Sequence, residues 1–124
     1  QFNGFEALPG KFVNGNLTLG ENIADLGGLT VAYDALKRAQ GADYKDPMID
    51  GFTQDQRFFF NWAAVWRRNY TEKELGVRLV TDPHAPARFR AIAAPQNMPT
   101  FVAAFGCEDS DAMVRSGDDR IAIW

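Results

Sequence analysis

The chain has 124 residues, 46% of them hydrophobic and 23% charged, with a formal net charge of -3. That is the composition of a folded domain, or of part of a larger one, and its slight acidic excess argues against a general nucleic-acid binder, which needs a basic surface. The single His84 and single Cys107 exclude an intrachain disulfide and a self-contained zinc site of nitrogen and sulfur ligands.

No stretch approaches the roughly 18 to 20 apolar residues of a membrane span. No basic-then-apolar leader is visible after Gln1, and a start without Met reads as a processed chain or a fragment. Residues 1–19 carry Gly4, Pro9, Gly10 and the Asn14-Gly15 turn pair, and read as loop with one short extended piece. Thr18 followed by Glu21 has the spacing of a capping box, so a helix is expected from Leu19 to Gln40, stopped by Gly41. Gly27 and Gly28 inside it cost about 1 kcal/mol each against Ala, a cost tolerated where another backbone passes close by.

Residues 41–52, with Pro47 and Gly51, read as loop. Thr53 is placed to cap a helix from Gln54 to Asn69, with Phe58, Trp62, Val65 and Trp66 on one apolar stripe and Arg67 and Arg68 in its last turn. A second capping box, Thr71 to Glu74, opens a short helix to Val80. Asp82-Pro83-His84-Ala85-Pro86 is a stiff turn, and Pro86 suits the first position of a helix to about Ala91. Pro99 to Gly106 reads as a further helical piece, and no long alternating strand pattern is present. The expected fold is mainly α.

Two constellations could carry chemistry. Glu21 and Asp25, four apart, share a helix face. One carboxylate could bind a metal ion while the next holds a ligating His in the right tautomer. On spacing alone the commoner explanation is that Glu21 merely completes the cap with Thr18. His84, held between prolines, could donate to a developing oxyanion, and Arg90 could clamp a carbonyl or carboxylate. The bland alternative is a surface turn with an ordinary helical Arg. The stripe Phe58, Trp62, Trp66 reads as core, part of which could line an apolar pocket.

Taken together and in order, these segments resemble the neprilysin family of zinc metallopeptidases. Val13-Asn14-Gly15 and Thr18-Leu19-Gly20-Glu21-Asn22-Ile23-Ala24-Asp25-Leu26-Gly27-Gly28 are similar to the family's signature around its third zinc ligand. Phe59 to Trp66 resembles a following helix, and Asp82-Pro83-His84-Ala85-Pro86-Ala87-Arg88-Phe89-Arg90 resembles the D-x-H-x-P-x-x-x-R stretch. Pro95-Gln96-Asn97, Phe101 to Cys107 and the closing Trp124 follow in the family's order.

The resemblance implies that Glu21 is the third protein ligand of a catalytic zinc ion and Asp25 its hydrogen-bonding support. It implies that His84 stabilises the transition state and Arg90 holds the substrate backbone. Val65 and Trp66 would line the primed-side pocket. The family's H-E-x-x-H, with two His ligands and the general base, is missing, as is its Asn-Ala-aromatic substrate clamp. The chain therefore reads as the C-terminal segment of a thermolysin-like catalytic domain, inactive alone. Its expected partners are peptide substrates and the remainder of that domain, with self-association through an apolar face around Phe58, Trp62 and Trp66. Animal members carry Cys where Arg67 and Ile121 stand, so the reading leans toward a bacterial member, in the cell envelope, secreted or cytoplasmic. The alternative is a degenerate, non-catalytic peptide-binding module.

Overall fold

The structure is a computed structural model that describes residues 1–123; Trp124, the last residue of the resemblance, lies outside the described residues. It is mainly helical. A small antiparallel hairpin, β1 (Glu6–Leu8) and β2 (Lys11–Phe12), precedes helices α1 (Leu19–Gln40), α2 (Gln54–Val65), α3 (Glu72–Thr81), α4 (Ala87–Ala93) and α5 (Pro99–Phe105). The hairpin replaces the single extended piece expected there. Gly10 takes φ +70° at its tip and donates its N–H to Glu6 Oε1 at 2.7 Å. No described helix is long and apolar enough to cross a membrane.

Two hydrophobic clusters hold the helices. The first joins α1 (Leu26, Leu29, Tyr33), α2 (Phe59) and the Ala94 to Met98 segment, with Phe58, Trp62, Phe101 and Phe105 packed around it. Phe59 is its hub, edge-on to Phe58 and Phe101 at ring-centroid distances of 5.3 and 5.2 Å. Tyr33 buries its ring there and donates its hydroxyl to Asp55 Oδ2 at 2.8 Å. Burial first, and then that hydrogen bond, push its pKa up, so it stays a neutral donor. The second cluster joins Val13, Leu79, Ala85 and Phe89, with Phe5 stacked on Phe89 at 4.8 Å. Helix α4 supplies Phe89 to the second cluster and runs directly into Ala94 of the first, and so occupies the seam between them.

Three expectations are corrected. Helix α2 ends at Val65 rather than Asn69. Trp66 caps it at φ -93°, ψ 10°, leaving Arg67 and Arg68 beyond the helix. The cause is tertiary: the Trp66 ring lies against the Arg90 guanidinium, 4.0 Å from centroid to Cζ, and edge-on to Trp62. Phe58, Trp62 and Trp66 are half-buried, whereas Val65 is 63% exposed, so the bare apolar surface is not where the stripe put it. At Gly28 nothing lies within 4 Å of where a Cβ would stand, so no backbone passes close to that residue.

Candidate active site

The site begins with the turn that launches α1. Asn14 Oδ1 accepts from the N–H groups of Asn16 and Leu17, both at 3.1 Å. Gly15 packs so tightly on Asn3 that a Cβ would stand 2.8 Å from Asn3 Oδ1. Thr18 is held at φ -94°, ψ 4°, outside the extended region from which a cap side chain reaches forward. Its hydroxyl donates to the Asn14 carbonyl at 3.1 Å and accepts from Asn22 Nδ2 at 2.9 Å. The expected Thr18 to Glu21 capping box is therefore not formed. Glu21 points elsewhere, and its Oε2 meets His84 Nε2 at 3.1 Å.

His84 comes from the connection between α3 and α4. Thr71 caps α3 through the Glu74 N–H at 3.2 Å, and Asp82 terminates it. Asp82 Oδ1 accepts from the His84 backbone N–H at 2.9 Å and faces His84 Nδ1 at 2.8 Å. Its Oδ2 accepts from Arg78 Nη1 at 2.6 Å. Partial burial works to raise the Asp82 pKa. The hydrogen bonds from the His84 main chain and ring, with the charges of His84 and Arg78, outweigh it and hold the carboxyl below its usual range. The His84 ring thus stands between two carboxylates, and both contacts are satisfied together when both ring nitrogens carry protons. Pro86 caps α4 rather than opening it.

Arg90, in the last turn of α4, reaches back 65 positions to α1. Its Nε and Nη2 donate to the two oxygens of Asp25, each at 2.6 Å, a bidentate pair that is about nine-tenths buried on both sides. The same Nη2 lies 4.0 Å from Glu21 Oε2. The Trp62 indole donates to the Arg90 carbonyl at 3.2 Å. A cleft of about 260 Å³ opens beside this arrangement, lined by Trp66, Arg68, Tyr70, Arg78, Asp82, His84 and Arg90. A second cavity of about 230 Å³ lies on the far side of Asp25 and Arg90, toward Leu19, Asn22 and Ile23.

Glu21, Asp25, His84, Arg90 and Trp66 thus meet at one seam, whereas Val65 lines a separate groove with Leu29, Leu36 and Trp62. Comparison with known proteins places the chain in a family. The model of peptidase family M13 matches residues 1–121. The chain belongs to peptidase family M13. Within that family, the neutral endopeptidase of Lactococcus lactis subsp. lactis is 36% identical over 123 residues, covering 99% of this chain and 18% of that protein. Human endothelin-converting enzyme 1 is 42% identical over 121 residues, covering 95% of this chain and 15% of its own length. The M13 chain superposes on the inhibitor complex of the Mycobacterium tuberculosis zinc metalloprotease Zmp1 with a TM-score of 0.93. That match is 36% identical and covers 99% of this chain and 20% of the other. The M13 chain therefore spans less than a fifth of the curated relatives it matches.

Sequence reasoning passed over two participants, Asp82 as the partner of His84 and Arg78 as the partner of Asp82. The signal was present: Glu74, Arg78 and Asp82 repeat every four residues along α3, so they share one face. It stayed silent because such ladders are common on exposed helices. Among the described residues no group of three His, Cys, Asp or Glu side chains could hold a metal ion.

Proposed function

We propose that the chain forms the C-terminal part of the catalytic domain of a zinc metallopeptidase. The longer enzyme would hydrolyse bonds in short peptides, N-terminal to a bulky apolar residue. The observation that carries this reading is the convergence of Glu21, Asp25, His84 and Arg90 on one seam in a chain of this family. Zinc, when bound, polarises the scissile carbonyl and activates water.

The residues present fit such an ion in part. Glu21 is 40% exposed and offers a carboxylate to it, but a catalytic zinc takes three protein ligands. Two His ligands and the general base would come from an H-E-x-x-H outside these residues. Asp25, one turn along from Glu21 and fixed by Arg90, has lone pairs left to accept the free ring N–H of such a His. His84, oriented by Asp82, would donate through Nε2 to the oxyanion that forms on the scissile carbonyl. Arg90 keeps Nη1 free of hydrogen bonds among the described residues, and with it would hold a substrate carbonyl. Trp66, which lines the cleft beside His84 and Arg90, would form part of the wall of the primed-side pocket, with Val65, on a separate groove with Leu29 and Trp62, as a second contributor.

The 124 residues alone carry an incomplete donor set, so we infer that they do not turn over peptide. The test is cleavage of internally quenched peptides by the complete enzyme and by this chain alone. The reading predicts chelator-sensitive cleavage, restored by zinc, for the complete enzyme and none for the chain. Peptide binding without zinc-dependent cleavage by the complete protein would overturn it in favour of a non-catalytic binding module.

A further inference from the structure

We propose that Arg78 is a positioning residue for His84, acting through Asp82. The inference rests on the peptidase reading above. Asp82 closes α3, its backbone N–H donating to the Arg78 carbonyl at 2.9 Å. A carboxylate there faces the negative end of the helix dipole, so its position needs a cation to hold it. Arg78 supplies that cation from within the same helix, one turn back, at 2.6 Å. The two oxygens are divided: Oδ2 goes to Arg78 and Oδ1 to the main chain and ring of His84. With Oδ2 taken, the plane of the carboxylate is set, and Oδ1 aims at Nδ1.

Arg78 is itself held on other sides. Its Nε donates to Glu74 Oε1 at 2.9 Å, and its guanidinium lies 5.3 Å from the Tyr70 ring centroid. Among the described residues it makes no hydrogen bond or ion pair with Glu21, Asp25 or His84. Its influence on His84 therefore passes through Asp82. Removing the guanidinium frees the carboxylate to rotate and the His84 ring to follow. A ring held in place matters for turnover more than for ground-state binding.

The experiment compares Arg78→Met and Arg78→Lys in the complete peptidase. Met and Lys have similar helix propensity, so their difference reads the charge. Arg78→Met should lower kcat about tenfold with KM within about twofold, and Arg78→Lys should keep about half or more of kcat. Arg78→Met added to Asp82→Asn should cost no more than Asp82→Asn alone, because the two act in series. Unchanged kcat in Arg78→Met, equal losses in Met and Lys, a loss carried by KM, or additive losses in the double variant would each overturn the proposal. A wild type without chelator-sensitive cleavage would bring down the peptidase reading and this inference with it. An active wild type with an indifferent Arg78→Met brings down this inference alone.

Discussion

Asp25 and Arg90 form the most deeply buried ion pair among the described residues, and they tie the start of α1 to α4 across the seam. Removing the charge on one side leaves the other buried without a partner. Asp25→Asn should therefore cost about 2–3 kcal/mol of stability, read from the urea midpoint of this chain; a change within about 0.5 kcal/mol would show that the pair holds nothing together. Asp82 makes a separate, pH-dependent contribution. Its folded-state pKa lies below the ordinary 3.8, so its stabilisation is present above that value and is lost as pH falls through the folded one. Asp82→Asn should flatten the acid limb of the stability curve below about pH 4 and leave its shape at neutral pH unchanged. At this scale Glu21, Asp25, His84 and Arg90 were singled out by the family resemblance, not by their spacing alone, and neither gave their pairing. Nothing local to Asp25 says that its partner stands 65 positions away, or that Asp82 orients His84 while Glu21 faces it.

Helices were legible where the signal is local. The cap at Thr53 forms as its sequence implies, with Gln56 completing the reciprocal pair, and Gly41 stops α1 at φ +70°. The cap at Thr18 was misread because Asn14 and Gly15 fix the chain there in a turn that draws the hydroxyl away from the helix. The end of α2 was misread because a contact with α4 decides it. The hairpin was missed because strands of three and two residues are too short to show alternation. These assignments separate two threonines experimentally. Thr53→Ala should lose about 1 kcal/mol through the cap, and Thr53→Asn should restore it. Thr18→Asn should restore nothing lost in Thr18→Ala, since Thr18 acts as a buried link between Asn14 and Asn22. Chemical denaturation of the four variants decides between these outcomes.

For the whole molecule, large apolar side chains are left bare on both long helices, among them Leu19, Ile23 and Val31 on α1 and Val65 on α2. This chain on its own should therefore self-associate, and Ile23→Lys should weaken that association, as seen by light scattering. A monodisperse monomer would count against it. Family membership was legible because the signature around Glu21 and the stretch from Asp82 to Arg90 each combine several residue types at fixed spacing. The central claim is that these residues form one side of a zinc peptidase site, and metal content tests it most directly. In the complete enzyme, Glu21→Ala should lose most of its stoichiometric zinc together with its peptide cleavage. Full zinc occupancy and undiminished cleavage in Glu21→Ala would contradict the account.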